Sequence, residues 1–479
     1  MKYNKWTVAL AALGVVSLAS AAKAEEKASP VLTALSSTTI SGYVDTSAEW
    51  NFGTGNANLP PYKFGGAGKA DGFNLDVVQL RIDKPLDEQD WAAGYRADFW
   101  FGPDAKTLGT DSYLGLANLA SDFAIRQAYV ALRAPIGRGL DFKIGVFDSI
   151  LGYESVEAGN NPNFTRSYGH SIEPQTHTGL LASYRFCDVL SASVGVADTM
   201  GPSINSRSSS TPITLGIPTI GTATVDVGGQ KAESYKTYMG SIAITAPDSM
   251  GFLAGSTLYG GVANGFSGVA RAGGTQASYY VGATVATPLT GLRAGAAFDY
   301  LDIHAVNNDT WSLAGYLSFQ ATEKLSLHGR LEYFKDKQLV PGGNGALFQD
   351  LAGGTAPAEV LSVTATVQYD LWKNVISRLE LRWDNSLGGN NLFGGPSNPP
   401  VATLGALPPN AQNAWMLAAN IIYKFYADVE PNLQPLPSKS EGVFLVRLPG
   451  DYWCWVLTTQ RRKRRNFFPL NPTLIVLSS

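Results

Sequence analysis

From Thr39 to Phe425 the chain is written in short segments in which apolar and polar residues alternate, joined by tight and long links in turn. A period of two is the mark of a strand whose two faces meet different surroundings. Between Val375 and Asp384, Val375, Leu379, Leu381 and Trp383 fall on one face, broken only by Ser377, and Arg378, Glu380, Arg382 and Asp384 fall on the other. Between Trp91 and Phe101 the same spacing groups Trp91, Tyr95, Phe99 and Phe101 with small alanines, away from Arg96 and Asp98. Alternation bounded by turn residues predicts strands over 39–52, 72–84, 90–101, 122–133, 140–151, 176–186, 190–200 and 236–246, then 254–264, 276–287, 292–304, 310–319, 325–335, 360–370, 375–384 and 413–425.

Alternation alone fits a soluble sandwich with its apolar face inward as well as a membrane barrel with its apolar face outward. The links separate the two. Tight connections such as 135–139, 187–189 and 321–324 follow the even strands, and long ones such as 53–71, 102–121, 153–175, 201–235, 336–359 and 385–412 follow the odd ones, with a short exception at 305–309. Short periplasmic turns, long outer loops and an even strand number describe a bacterial outer-membrane barrel. The two ends of a sandwich or propeller carry no such asymmetry. The expected fold is therefore all-β, a transmembrane antiparallel barrel of about sixteen strands.

The ends of the chain extend this picture. Lys2 and Lys5 precede an apolar run from Val8 to Ala22, and Ala22-Lys23-Ala24 reads as a cleavage site, so residues 1–24 are expected to be a secretory signal. Residues 25–38 would then form a short periplasmic segment ahead of a barrel spanning 39–425. In the last predicted strand Trp415, Leu417, Ala419, Ile421, Tyr423 and Phe425 share a face opposite Asn420 and Lys424. A terminal strand ending in Phe resembles the C-terminal signal of bacterial outer-membrane proteins. Phe425 is thus the expected assembly signal for the barrel-assembly machinery. Trp50, Tyr95, Tyr300, Trp311, Tyr333 and Trp383 are candidates for aromatic girdles at the membrane interfaces.

Composition agrees with a wall that is half wet. Mean hydropathy is −0.02, far below that of a helical membrane protein but natural for a barrel whose inward side chains face water. Two cysteines, Cys187 and Cys454, are too few for a disulfide framework, and neither a disulfide nor a metal site is expected. The net charge of −3 conceals an imbalance. Without Lys2, Lys5, Lys23 and the seven basic and four acidic residues after Phe425, the presumed barrel carries about −9. Such a surface is unsuited to nucleic acid, and suggests a lumen that favours cations.

A sixteen-stranded barrel leaves an aqueous channel, so selectivity rests on whatever narrows it. The third long loop, 153–175, carries Glu154, Glu157 and Glu173 beside Arg166 and His170, a mixture that would set a field across a constriction. Strand parity turns Asp45, Glu49, Arg96, Asp98, Arg293, Asp299, Arg330, Glu332, Arg378, Glu380 and Arg382 toward the lumen. Any water-filled barrel must line itself with paired polar groups, and that plain role competes with a steering role for each of them.

The blocks ISGYVDTSAEW, DVVQLRIDKP, RQAYVALRAPIGRGLDFKIGVFDSILGYE and NPNFTRSYGHSIEPQTHTG resemble the OmpL-like outer-membrane beta-barrel porin-2 family over most of 39–425. The resemblance implies a passive diffusion channel for small hydrophilic solutes and ions in the outer membrane of a Gram-negative bacterium, in contact with lipid and needing no cofactor. Likeness to other porins of this size adds an expected homo-trimer. A substrate-selective channel or a surface receptor or adhesin barrel is the alternative. A barrel enzyme is weaker, since His170, His177, His304 and His328 are the only histidines and none sits in a recognisable nucleophile or metal pattern. A plugged receptor would need a separate domain ahead of the first strand. After Phe425 the character changes: residues 426–479 include the basic run Arg461–Arg465 and show no matching turn and strand. They are expected to be a non-native extension, with a small appendage as the rival reading.

Overall fold

In the computed structural model the alternating segments form strands β1 (Thr39–Phe52), β2 (Gly72–Lys84), β3 (Ala93–Phe101), β4 (Phe123–Ala134), β5 (Leu140–Asp148), β6 (Thr176–Arg185) and β7 (Leu190–Ala197). A hairpin of β8 (Pro212–Ile217) and β9 (Gly221–Asp226) follows. Then come β10 (Thr237–Thr245), β11 (Thr257–Phe266), β12 (Thr275–Ala286), β13 (Leu292–Ile303), β14 (Asn308–Gln320), β15 (Leu325–Asp336), β16 (Ala358–Trp372), β17 (Val375–Ser386) and β18 (Asn413–Tyr426). Residues 38–53, 57–66, 68–110, 121–208, 212–217, 221–226, 234–266, 275–304, 308–337, 358–395, 409–426, 443–448 and 452–457 are described. The signal segment 1–24, residues 25–37 and Arg461–Arg465 lie outside them.

Sixteen strands, β1–β7 and β10–β18, close into one barrel in which each pairs antiparallel with its neighbours in the chain and β18 returns to β1. The predicted count holds, with boundaries moved by a few residues. The link 201–235 also contains the β8–β9 hairpin, which periodicity did not reveal. At the closing seam the Asn420 amide donates to Asp45 Oδ1 (2.5 Å) and to the Thr46 carbonyl (3.1 Å), and the Thr46 hydroxyl donates to the Ile421 carbonyl (3.2 Å).

The direction of the side chains separates the barrel from a sandwich. Along β15 and β17, Leu331 and Leu379 are 56% and 52% exposed, and Arg330, Glu332 and Glu380 are at most 2% exposed. Apolar outside and charged inside is the arrangement lipid demands. Among the described residues no helix is long and apolar enough to cross a membrane, so strands must do the crossing. At the long-loop end aromatic pairs ring the outer surface: Trp50 with Phe73, Tyr279 with Tyr300, Trp311 with Tyr333 and Trp383 with Trp415. Tyr95 stands at the short-turn end, where its hydroxyl is 2.8 Å from that of Thr38.

The chain divides into two units, 1–425 and 426–479. In the second, β19 (Val443–Leu448) and β20 (Tyr452–Leu457) pair antiparallel. This corrects the expectation that the segment holds no strand: the apolar stretches VFLVRL and YWCWVL, with the sequence Pro-Gly-Asp between them, suffice for a local hairpin.

Candidate inner-loop cradle and lumen

The connection between β5 and β6, residues 149–175, is the inner loop. It contains a single turn around Ala158–Asn160 and a short helix, α2 (Tyr168–Ile172); a slightly longer helix, α1 (Pro103–Leu108), precedes it in the link after β3. Ser167 caps α2, its hydroxyl accepting from the His170 N–H at 3.0 Å. The barrel wall completes the cap. Glu332 on β15 accepts from the Tyr168 and Gly169 N–H groups at 3.0 and 2.9 Å, which places a carboxylate on helix donors that have no partner within the helix.

The same device repeats along the wall. Glu380 accepts from the Phe164 N–H (2.6 Å), the Thr165 N–H (2.9 Å), and the Thr165 and Thr366 hydroxyls (2.5 and 2.7 Å). The guanidinium groups do the converse. Arg330 donates to the Thr165 carbonyl at 2.8 Å and the Arg166 carbonyl at 3.2 Å, Arg382 to the Arg166 carbonyl at 2.7 Å, and Arg378 to the carbonyls of Ala158 (3.1 Å) and Asn161 (2.7 Å). Carboxylates of β15 and β17 therefore hold the loop's N–H groups and their arginines hold its C=O groups. Hydrogen bonds to charged groups contribute about 1.5–3 kcal/mol each, enough in such number to fix an irregular segment inside a barrel.

Of the expected loop residues, Arg166 lies in this cradle and Glu154 joins it through Arg330, whereas Glu157 meets β2 and β4 and Glu173 meets β13. Glu154 pairs with Arg330 at 2.9 Å and accepts from the Ser167 N–H (2.9 Å) and the Tyr316 hydroxyl (3.2 Å). Burial pushes its carboxyl up, but the charges of Arg330 and Arg166 and the hydrogen bond from the Ser167 N–H outweigh that and hold it below the ordinary range. Glu157 joins Arg81 and Arg126, which both also bind Asp98. Arg166 is buried; it donates to the carbonyls of Phe164 and Val156 and lies 5.7 Å over the Phe64 ring. His170 sits 3.3 Å from Glu173, and burial lowers its imidazole to about 3, so it is neutral near pH 7. Burial and the neighbouring Asp299 raise Glu173 well above the ordinary carboxyl range, and the protonated acid hydrogen-bonds to Asp299 on β13.

Of the inward residues read from parity, Arg330, Glu332, Arg378, Glu380 and Arg382 face the loop backbone, and Asp299 faces Glu173. Asp98 joins the Arg81–Arg126 cluster, Asp45 the seam, and Glu49 is buried beside Tyr62 and Arg382. Arg96 is half-buried and pairs with Asp83 at 2.8 Å; Arg293 is exposed. Parity gave the direction of these side chains. It gave no sign that most of them are covered by chain instead of water.

Sequence reasoning missed Arg126 and Asp384. Asp384 binds Arg382 and accepts from the Tyr168 hydroxyl at 2.7 Å, and its place in the alternating 375–384 run was the available signal. It also missed the link 53–71, which brings Tyr62 under Arg382 (4.4 Å) and ties Lys69 to Asp76 and Asp104 at 2.7 and 2.6 Å. No local pattern marks that link as an inward one.

The wall of β7 and β10–β12 is different. Among its inward positions, Ser191, Ser193, Ser241, Ala243, Tyr259 and Tyr280 border a cavity of about 230 Å³ together with Ile150 and Gly152 of the inner loop. Tyr153 stacks on Tyr316 at 4.1 Å between ring centres. Its hydroxyl occupies the space a β-carbon on Gly295 would need, so glycine on β13 is what admits the ring.

A closed sixteen-stranded barrel, apolar outside, charged inside and crossed by an inward loop, defines an outer-membrane channel protein. The sequence matches the family described as beta-barrel porin-2, OmpL-like, over residues 37–425, and the chain belongs to that family. Family and fold imply a channel rather than an enzyme, placed in the outer membrane. No curated protein matches the sequence. Among solved structures the chain is similar to the anion-selective porin from Comamonas acidovorans (12% identity, 81% of this chain and 99% of that one, TM-score 0.48). It is also similar to the outer membrane channel DcaP of Acinetobacter baumannii (11%, 81% and 97%, 0.47) and to Salmonella typhi OmpF in complex with daunomycin (14%, 81% and 97%, 0.47).

Proposed function

We propose that the channel passes small hydrophilic solutes and ions by passive diffusion and that the inner loop, pinned across the lumen, sets its width. The carrying observation is the cradle: Arg330, Glu332, Arg378, Glu380 and Arg382 hold the loop backbone to β15 and β17, opposite the small-residue wall that borders the cavity. A fixed constriction beside an uncharged wall suits unassisted permeation. The geometry favours no catalytic role: His170 and His177 are buried, and His328, 2.9 Å from the Ser318 hydroxyl, has its other ring nitrogen without a hydrogen-bond partner, so no carboxylate orients it as a base. Single-channel conductance of the refolded chain in a planar bilayer tests the reading. Stable, weakly voltage-dependent steps are expected; a folded barrel that conducts nothing would sink it.

Export through a signal peptide cleaved before Glu25 accords with the Ala22-Lys23-Ala24 pattern, and N-terminal sequencing of the membrane-inserted protein checks it. Phe425 is proposed as the assembly signal because it closes the aromatic face of β18. Residues 426–479 are proposed to be dispensable for assembly, since they form a unit separate from 1–425. A chain ending at Phe425 should then give at least as much heat-modifiable barrel as the full chain. A homo-trimer remains the expectation from porins of this size, and mass under native conditions decides it.

A further inference from the structure

The acidic sequence suggests a cation-favouring lumen, yet the inward acids are mostly spent. Glu332 and Glu380 are occupied by loop N–H groups and hydroxyls, Glu154 by Arg330, and Asp98 by Arg81 and Arg126. Toward the short-turn end, Asp83 is paired with Arg96 and Asp141 with Arg133. What remains beneath the inner loop is basic. Lys143 on β5 and Arg293, the second residue of β13, make no ion pair among the described residues, and they flank the wall of β7 and β10–β12 from its two sides. Lys143 is half-buried with its ammonium 5.0 Å over the Tyr129 ring, and Arg293 is exposed. A third cation, Lys424 on β18, donates to the Gly159 carbonyl at 2.9 Å and is offset by the charge of Asp370 on β16, two strands away. Between Lys143 and Arg293 the wall offers Ser191, Ser193 and Ser241. Hydroxyls can donate to an anion and add no negative charge to repel it.

We propose that the passage beneath the inner loop selects small anions, with Lys143 and Arg293 as the charges that set the preference. The inference deepens the diffusion-channel reading and rests on it. Net charge is the wrong guide here because a field acts on a permeating ion from charges that reach the water; a carboxylate buried against peptide N–H groups is already compensated.

The test is the reversal potential of the full refolded chain in a bilayer under a potassium chloride gradient, for wild type, Lys143→Gln, Arg293→Gln, the double variant and Lys335→Gln. Lys335 pairs with Glu359 at the long-loop rim on the lipid-facing side of β15 and serves as the control. Heat-modifiable migration establishes that each variant folds. The wild type should be chloride-preferring. Each inner substitution should lower the chloride-to-potassium permeability ratio by about tenfold, since one unit charge at about 6 Å in water favours chloride and disfavours potassium by about threefold each, and Lys335→Gln should leave it unchanged. Potassium preference in the wild type, or an unchanged ratio in the double variant, overturns the inference and leaves the channel reading standing. A folded wild type without conductance overturns the channel reading, and this inference with it.

Discussion

The two halves of the barrel interior solve opposite problems. On β15 and β17 the inward positions alternate Arg330, Glu332, Arg378, Glu380, Arg382 and Asp384, and these side chains are turned against the inner loop. On β7 and β10–β12 the inward Ser191, Ser193, Ser241, Ala243, Tyr259 and Tyr280 carry no charge and border open space. The charged wall is the one that grips and the plain wall is the one that stays open. A loop inside a barrel carries peptide groups that strands have not satisfied, and burying them unpaired is costly. Charge density is therefore highest where the chain must be held, which is a different place from where a solute can pass.

Breaking the gripping wall should have the largest effect. Glu332→Ala with Glu380→Ala strips acceptors from four backbone N–H groups of the inner loop and leaves Arg330 and Arg382 with less compensation. Removing one partner of a buried charge network costs about 3–5 kcal/mol. The expected outcome is a barrel that still assembles, conducts in larger and noisier steps, and is cut by protease within 149–175.

Acid should act on the same wall more gently. His170 is held neutral in the folded loop, at about 3 against an ordinary value of 6.5. Its folded value is lowered, so the unfolded chain binds more protons between those limits, and stability falls as pH drops from about 6.5 toward 3, by at most roughly 5 kcal/mol. The midpoint of heat modification should be lower at pH 4 than at pH 7, and His170→Gln should flatten that difference.

Across the lumen the effects should be smaller. Gly295→Ala places a methyl group where the Tyr153 hydroxyl lies; overpacking of this kind costs about 1–3 kcal/mol. Unit conductance should change as Tyr153 moves, and Tyr153→Ala should restore stability to the Gly295→Ala chain. Smallest of all, Ser241→Ala on the open wall should leave stability within about 0.5 kcal/mol. A large loss there would show that the plain wall is also a gripping one.

Much of the architecture was legible in order. The alternation of Leu379, Leu381 and Trp383 with Arg378, Glu380 and Arg382 gave β17, its two faces and its membrane setting once the link lengths were counted. Other features were not. The β8–β9 hairpin lies in a stretch of Ser, Thr, Pro and Gly whose pattern reads as a link. The inward fold of Tyr62 and Phe64 has no local signature, because what draws them in is Arg382, Arg166 and Trp100, remote in the chain.

By itself the sequence determined that strands form, how many close the barrel, which face of each of these meets lipid and which end carries the long loops. These follow from the two-residue period of the backbone and from turn chemistry, both of which act over a few neighbouring residues. Only the tertiary structure decided which inward charges reach water. Glu380 and Arg293 look alike in the pattern, one inward charge on a strand each. A loop more than 200 residues away in sequence accepts the first as a partner and leaves the second exposed. Compensation of a charge depends on what lies within a few ångströms of it, and that distance is set by closing the barrel around the loop.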